Sequence, residues 1–399
     1  MMIVSLLLLR AASVGARWPR GPGGVARGGG AFADGEGTYL QSFPAAFTPE
    51  ECARIEELFL RREVEVDERI GEGVSRVNRW VKSPLPGEFD WILRRVLEHL
   101  PPSNAFWGFS KTFADADVKT FEQHVDFALM HEFGAGRFFD WHVDTKPDDE
   151  TDRTLNVNVV LSKPGDFQGG DLQVANTNAS LGIGDLHAYP AACPHKVHDI
   201  SRGRRRTLVL AVRAAPRGAA PSQSSAYWAS ARRRYELLCA DGAPPKLHWI
   251  FGQYLEASGD GPAAVQKFGD SYRASAERDQ YVAAFASEAE SLHAADDLEG
   301  AAKALEICAA IEPHVASHLA DLGVVRWKLG ALDAAEAALR RAIFNQGAVE
   351  AQAALRAALS LVLADLGRGA EAAEEERLAR QGHPETAAAA LEHLATLRR

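Results

Sequence analysis

The sequence predicts an α+β protein in which a β-rich domain is followed by an all-α domain of helical repeats. From Thr38 to about Val212 the chain is rich in Phe, Trp, Val and Gly with short alternating runs, and from about Leu247 onward Ala, Leu and Glu dominate. Alternation with a period of two is typical of half-buried strands, whereas Ala, Leu and Glu favour helices. At about 150 residues per domain, the chain of 399 residues has room for two or three domains.

The composition narrows the classes of function. Hydrophobic residues make up 46% and charged residues 25% of the chain, so most of it should fold. The net charge of -10 argues against a nucleic-acid partner, because such proteins usually present a basic surface. The 4 cysteines are scattered without a CxxC pair, which predicts neither a zinc ribbon nor a disulfide framework. No segment beyond the N-terminus is apolar for long enough to predict a stable membrane span.

Residues 1–37 are predicted to form a targeting segment and a Gly-rich linker. The run from Ile3 to Leu9 is apolar and is followed by small residues, which favours a secretory signal peptide and the endoplasmic reticulum. Several arginines but no acidic residue precede Asp34, a pattern that also suits a transit peptide. Import into an organelle is therefore the alternative localisation.

The domain boundaries follow these shifts in composition. Residues 38–213 are predicted to form the β-rich domain, residues 214–244 a linker, and residues 245–399 the helical repeats. The linker begins with a stretch of small residues and two prolines, which predicts a hinge.

Two helices are predicted inside the β-rich domain. Thr48 and Glu51 have the spacing of a capping box, which begins a helix that reaches about Arg62. A second helix is predicted over Phe89 to Leu100, because two prolines follow it directly.

The C-terminal half contains an internal repeat. The segment from Asp296 to Leu305 recurs as Gly330 to Leu339, a displacement of 34 residues. This period predicts a solenoid of helical hairpins. The pattern resembles the tetratricopeptide repeat, with small Gly323 where helices cross and Pro313 closing a repeat. The alternative is an irregular Ala-rich helical bundle, because Ala and Leu recur at short intervals in any helix.

Three side chains of the β-rich domain suggest a metal site. His142 and Asp144 are two residues apart in an extended segment, so they share one face of a strand. His195 follows beside another strand-like segment, and two histidines with one carboxylate form the facial triad of non-haem Fe(II) oxygenases. His198 competes for the third position, although its odd offset from His195 places it on the opposite strand face. The alternative is a structural histidine with a surface aspartate.

Arg205 and two asparagines are candidates for a neighbouring pocket. If the segment around Arg205 is a strand, its guanidinium lies on a face lined by small residues, where it could bind a carboxylate bidentately. The alternation that directs Leu155 and Val157 to the core leaves Asn156 and Asn158 facing the opposite side. The alternatives are a solvated basic run for Arg205 and solvent-facing strand positions for the asparagines.

Several ordered segments of the β-rich domain match one known family. They are Phe138 to Asp144, Leu161-Ser162 leading to Gly169-Gly170-Asp171-Leu172, Tyr189-Pro190, His195-x-Val197 and Gly203-x-Arg205. With these segments, residues from about Val125 to Val212 resemble the 2-oxoglutarate/Fe(II)-dependent dioxygenases, specifically the prolyl 4-hydroxylase-like branch. The likeness extends to Thr38 when the first helix is included.

The resemblance implies a double-stranded β-helix, or jelly roll, that holds Fe(II) through His142, Asp144 and His195. It implies 2-oxoglutarate as co-substrate on Arg205, and it allows ascorbate as a reductant. The strand alternation adds Asn156 and Asn158 as further cofactor-binding candidates. One position departs from the family. Phe133 stands where many relatives carry a tyrosine that hydrogen-bonds the co-substrate. We therefore expect another group to replace that hydroxyl, a weaker affinity for the co-substrate, or a different 2-oxo acid.

The resemblance implies decarboxylation of 2-oxoglutarate coupled to hydroxylation of a C–H bond by molecular oxygen. A helical solenoid offers a groove for extended peptides, so we predict a peptide or protein substrate held by the repeats and hydroxylated at proline. One alternative is a small-molecule dioxygenase. The other is a catalytically weak scaffold that binds partners through its repeats.

Overall fold

The computed structural model describes residues 39–61, 65–71, 74–100, 113, 116–149, 152–220, 225–240 and 242–397. The predicted targeting segment and Gly-rich linker, residues 1–37, lie outside the described residues. The described chain divides into two compact units, one ending at Gly259 and one beginning at Asp260.

The first unit is built on β-strands. Their bounds are β1 Gln41–Phe43, β2 Glu65–Gly71, β3 Val74–Lys82, β4 Val125–Gly134, β5 Phe139–His142, β6 Arg153–Val160, β7 Phe167–Gly169, β8 Leu172–Val174, β9 Thr177–Asn178, β10 Leu186–Pro190, β11 His195–Val197 and β12 Ile200–Arg213. The strand order is β1-β10-β6-β12-β4-β3-β5-β11-β8-β9, with β2 on β3 and β7 on β12, and all strand pairs among the described residues are antiparallel. This antiparallel core confirms the predicted jelly-roll type of fold.

Short helices cover one face of the sheet. They are α1 Pro49–Arg61, α2 Asp90–Leu97, which follows a 3-10 turn at Gly87–Phe89, and α3 Val118–Glu122. Their apolar side chains pack against alternate residues of β4, β6, β10 and β12, including Met130, Val157 and Leu210. The period of two therefore directs the other residues of these strands to the opposite face, which we call the inner face.

The predicted capping box of the first helix is confirmed. The backbone N–H of Thr48 donates to Glu51 Oε2 at 2.8 Å, and the N–H of Glu51 donates to Thr48 Oγ1 at 3.2 Å. Helix α1 ends at Arg61, one residue before the predicted end. The second predicted helix is shorter than expected, because the chain forms a 3-10 turn up to Phe89 and α2 ends at Leu97.

Two helices follow β12 within the first unit, α4 Ser225–Leu238 and α5 Pro245–Ala257. Helix α4 lies in the stretch predicted as a linker. The hydroxyl of Tyr227 accepts the N–H of Ala192 at 3.0 Å and donates to the carbonyl of Thr154 at 3.1 Å. The hydroxyl of Tyr235 donates to the carbonyl of Ala192 at 2.9 Å. Two buried tyrosines therefore hold this segment against the sheet, a contact that its polar composition did not reveal.

The second unit contains only helices among its described residues. They are α6 Gly261–Arg273, α7 Arg278–Ala294, α8 Leu298–Ile311, α9 Ala316–Lys328, α10 Leu332–Asn345, α11 Val349–Asp365, α12 Gly369–Gly382 and α13 Pro384–Leu397. Helices α8 and α10 have equal lengths of 14 residues and are displaced by the predicted period. A Cβ atom on Gly323 would lie 2.7 Å from Leu339 Cγ, so the small residue is needed where α9 meets α10. The all-helical region is confirmed, and the tetratricopeptide assignment stays a prediction.

No helix among the described residues combines the length and the apolar character that crossing a bilayer requires.

We expect Tyr227→Phe to destabilise the first unit by about 1–3 kcal/mol, because it leaves the buried N–H of Ala192 without its acceptor. Urea unfolding followed by tryptophan fluorescence measures this change. The matched control is Tyr281→Phe on α7, the same substitution in the second unit. Equal stability of Tyr227→Phe and the wild type would contradict the role assigned to α4.

Candidate metal centre

The two candidate histidines are direct cross-strand neighbours. Strands β5 and β11 pair antiparallel with His195 opposite His142. Their ring centroids are 4.0 Å apart, at an interplanar angle of 53°. Asp144 follows β5, and its backbone N–H donates to the carbonyl of Ala191 at 2.9 Å, close to the start of β11. The three side chains therefore converge, and one ligand atom of each lies within 4.8 Å of the others.

Hydrogen bonds fix which ring nitrogen of each histidine faces the centre. Nδ1 of His142 lies 2.8 Å from the carbonyl oxygen of Asp140, and Nδ1 of His195 lies 2.9 Å from that of Cys193. A carbonyl oxygen only accepts, so both Nδ1 atoms carry a proton, and the neutral form of each ring keeps its lone pair on Nε2. Burial, together with neighbouring His195, holds the pKa of His142 well below its ordinary value. A neutral imidazole is the form that binds metal.

The carboxylate of Asp144 is held by two neighbours. Asn156 Nδ2 donates to its Oδ2 at 2.7 Å, and a guanidinium nitrogen of Arg153 lies 3.4 Å from the same oxygen. Asn156 is fixed in turn, because Arg153 Nε donates to its Oδ1 at 3.0 Å. Burial alone would raise the pKa of Asp144, but the neighbouring Arg153 guanidinium holds it well below its ordinary value. The carboxylate is thus ionised and oriented for a cation.

Arg205 lies on the inner face and is buried, with 2% of its surface exposed. Its Nε has no hydrogen-bond partner, and within the described part of the chain the guanidinium forms no ion pair. Burial lowers the pKa of Arg205 to about 10, although Tyr189 and Asp171 oppose this effect. A cation buried without a counterion costs several kcal/mol, so the site is suited to an anion.

The absence of a side chain at Gly170 leaves space for the side chain of Arg205. Gly170 has a φ of +73°, and a Cβ atom there would lie 2.1 Å from Ile200 Cδ1 and 3.1 Å from Arg205 Cδ.

The arginines next to Arg205 in sequence differ from it in their surroundings. Arg202 and Arg204 are exposed, and Arg206 points to the outer face, where it pairs with Glu56 and Glu132.

A cavity opens beside the three candidate ligands. Its empty volume, open solvent included, is about 470 Å³. Asn158 lines it and donates through Nδ2 to the hydroxyl of Tyr189 at 3.0 Å, while its Oδ1 is buried without a partner. Besides the three ligands, the lining comprises Arg76, Trp80, Phe127, Leu129, His131, Phe133, Phe139, Arg153, Asn158, Leu172, Tyr189, Val197 and Val209.

The two asparagines thus differ in their surroundings. Both lie on the inner face, as the alternation of β6 predicts, but only Asn158 lines the cavity. Asn156 contacts the carboxylate of Asp144 and the guanidinium of Arg153. Asn156 is therefore placed to orient a metal ligand, and Asn158 is placed to meet a bound molecule.

The remaining histidines near the site have other partners. His198 Nε2 lies 3.0 Å from Gln173 Oε1 and is not part of the three-residue group. His187 lies between Ser42 Oγ and the carbonyl oxygen of Ser180, and burial lowers its pKa to about 4. His131 Nδ1 lies 2.8 Å from Asn78 Oδ1, and its ring lines the cavity.

Sequence reasoning did not identify Arg153 or the aromatic cavity wall. Arg153 stands at the start of β6 and reaches Asp144 only because β6 lies beside the loop that follows β5. Trp80 and Phe127 are cross-strand neighbours on β3 and β4 with ring centroids 4.8 Å apart. A period of two in β3 and β4 marks which residues share a face, but it does not indicate that this face meets His142.

The segment that carries the three candidate ligands, residues 125–213, matches the 2OG-Fe(II) oxygenase superfamily. The chain resembles the 2-oxoglutarate/Fe(II)-dependent dioxygenases. The prediction from the sequence motifs is therefore confirmed, and the matched residues run from the start of β4 to the end of β12. We call this segment the oxygenase core.

Curated relatives of the oxygenase core include bacterial hydroxylases. A PKHD-type hydroxylase of Pseudomonas fluorescens (strain Pf0-1) is 32% identical over 87 residues, which are 19% of this chain and 38% of that protein. A PKHD-type hydroxylase of Caulobacter sp. (strain K31) is 36% identical over 87 residues, with the same two shares of 19% and 38%. The chain thus spans less than half the length of the curated relatives that it matches.

Solved structures similar to this chain include two bacterial enzymes. An oxidoreductase of the 2OG-Fe(II) oxygenase family from Burkholderia pseudomallei has a TM-score of 0.35 and 17% identity, over 47% of this chain and 89% of that chain. A prolyl-4-hydroxylase from Pseudomonas putida has a TM-score of 0.32 and 14% identity, over 44% of this chain and 92% of that chain.

We expect Asn156→Ala to weaken binding of a divalent metal about 10- to 100-fold, because the partners of a ligating carboxylate fix its orientation. Calorimetric titration with Mn(II) in place of Fe(II) measures the affinity without oxidation. The matched control is Asn178→Ala, an exposed asparagine on β9. Equal affinities of the two variants would show that Asn156 does not orient Asp144.

Proposed function

We propose that this protein is an Fe(II)- and 2-oxoglutarate-dependent dioxygenase that hydroxylates a peptide or protein substrate, at proline. One observation carries the proposal. A group of two imidazoles and one carboxylate, oriented by hydrogen bonds, lies on the same side of the sheet as a buried arginine that has no counterion in the described residues. The first feature suits iron and the second suits a carboxylate.

The donor set fits each group. His142, Asp144 and His195 would hold Fe(II) through two nitrogens and one oxygen, which leaves further coordination positions for other ligands. Arg205 would bind a carboxylate of 2-oxoglutarate, and Thr207, two residues along the same face, has a buried hydroxyl without a partner. When bound, iron and 2-oxoglutarate would supply the oxidation together with molecular oxygen, of which one atom enters succinate as 2-oxoglutarate loses carbon dioxide and the other enters a C–H bond of the substrate.

The side chains of the oxygenase core orient and enclose the reactants. Asn156 and Arg153 keep the Asp144 carboxylate in one orientation, and backbone carbonyls do the same for both imidazoles. Leucine, valine and phenylalanine side chains supply much of the cavity lining, which reduces access of water to the reacting atoms. The protein thus contributes binding, orientation and a largely dry site.

The choice of a proline-containing substrate rests on the aromatic wall of the cavity. The edge-to-face pair of Trp80 and Phe127 forms an apolar wall of the cavity, and such aromatic surface suits a saturated ring. The curated relatives are called hydroxylases. We propose that helices α6–α13 bind the flanking peptide, as helical solenoids do, and that ascorbate serves as a reductant.

The co-substrate assignment is tested by titrating the Fe(II)-loaded protein with 2-oxoglutarate without oxygen and following the weak visible band of a chelated 2-oxo acid. We expect the band in the wild type and its loss in Arg205→Gln, because an amide does not replace the buried cation. Arg202→Gln, an exposed position on the same strand, is the matched control. A folded, metal-loaded wild type without the band would contradict the assignment and favour the scaffold alternative.

The substrate assignment is tested with proline-containing peptides and with free proline. We compare the full chain with a chain that ends at Gly259, the last residue of the first unit. Mass spectrometry measures the gain of one oxygen atom. We expect truncation to lower peptide turnover at least about tenfold, since a peptide-binding groove raises the local substrate concentration. Equal peptide turnover by both chains would exclude a role for the helices in substrate binding.

A further inference from the structure

Two aromatic positions of the inner face lie near buried Arg205. Phe133 is directly opposite Arg205 in the ladder between β4 and β12, and it is 1% exposed. Tyr189 lies on β10, opposite Asn156 of β6, and is 2% exposed. Both side chains belong to one buried cluster and both line the cavity. Phe133 offers no polar atom there, whereas Tyr189 offers a hydroxyl.

The hydroxyl of Tyr189 stands close to the candidate metal centre. The tyrosine ring meets the ring of His195 edge to face, with centroids 4.9 Å apart and an interplanar angle of 60°. The cluster of Phe133 and Tyr189 also contains Leu172 and Val197, which line this part of the cavity with apolar atoms. A hydrogen bond formed here is shielded from water, so it contributes more than an exposed one.

Tyr189 and Asn158 together keep one hydrogen-bond donor that no group among the described residues accepts. Asn158 Nδ2 donates to the Tyr189 hydroxyl, which keeps its own proton, and no acceptor for this proton is found among the described residues. If the amide of Asn158 is turned over, its Oδ1 accepts that proton and the amide N–H groups are left over instead. In either orientation, the pair of Tyr189 and Asn158 retains an unused O–H or N–H donor at the cavity.

We propose that Tyr189, held by Asn158, donates the hydrogen bond to 2-oxoglutarate that a tyrosine at position 133 would otherwise supply. This inference rests on the proposed function, because it concerns the co-substrate of the same site. A buried cation and a hydroxyl donor on one face suit a ligand that carries several anionic or carbonyl oxygens. With phenylalanine at position 133, the hydrogen bond to 2-oxoglutarate would then come from Tyr189 on β10 instead of from β4.

The test measures binding of 2-oxoglutarate to the Fe(II)-loaded full chain without oxygen, from the intensity of the visible band. We expect Tyr189→Phe to raise the Kd for 2-oxoglutarate about 10- to 100-fold, the loss typical of a hydrogen bond to a charged group. Mn(II) affinity, measured by calorimetry, should change less than about twofold, because among the described residues the Tyr189 hydroxyl forms no hydrogen bond with His142, Asp144 or His195. Tyr281→Phe on α7, in the second unit, is the matched control and should leave both affinities unchanged.

A double variant, Tyr189→Phe with Phe133→Tyr, returns one hydroxyl to the cavity from position 133 on β4. If Tyr189→Phe loses about 100-fold in affinity for 2-oxoglutarate, we expect the double variant to bind 2-oxoglutarate at least about tenfold more tightly than Tyr189→Phe does. An unchanged Kd in Tyr189→Phe would overturn the inference. Parallel losses of Mn(II) and 2-oxoglutarate affinity would also overturn it, because they indicate a packing role beside His195. Absence of the band in the wild type would instead refute the proposed function itself.

Discussion

The pairing of β5 with β11 is the constraint on which the candidate site depends. It places His142 opposite His195, and the hydrogen bond from Asp144 to Ala191 continues the contact beyond the end of β5. Because side chains alternate along a strand, a slip of one residue would turn one imidazole to the opposite face. Geometry of the backbone, rather than attraction among the three side chains, therefore brings two imidazoles and a carboxylate together.

The two faces of the sheet have opposite energetic roles. The outer face buries apolar side chains against α1 to α3, and each fully buried one contributes roughly 1.5–3 kcal/mol. The inner face keeps Arg205, Asn158 and Thr207 buried with polar atoms that lack partners in the described residues. Such groups cost about 1–3 kcal/mol each, and more for a charge. The packed outer face offsets this cost, and a polar ligand would remove it.

Local patterns in the sequence predicted much of the site. The rest depends on contacts between segments that are distant in sequence, which such patterns do not reveal. The period of two in β6 and β12 assigned Asn156, Asn158 and Arg205 to one face, and the capping box at Thr48 located α1. The role of Arg153 depends on a contact between segments that are not adjacent in sequence. Helix α4 was hidden for a similar reason, because its tyrosines are stabilised by the segment before β11 rather than by a strongly amphipathic pattern.

The contact between α4 and the residues before His195 couples metal binding to folding. Tyr227 and Tyr235 both bond to the backbone of Ala192, three residues before a candidate ligand. A metal that binds only when His195 is correctly placed also favours the folded form of α4, by thermodynamic linkage. The apparent metal affinity therefore includes part of the free energy of docking this helix. Residues distant in sequence from the candidate ligands can thus tune how tightly a metal is held.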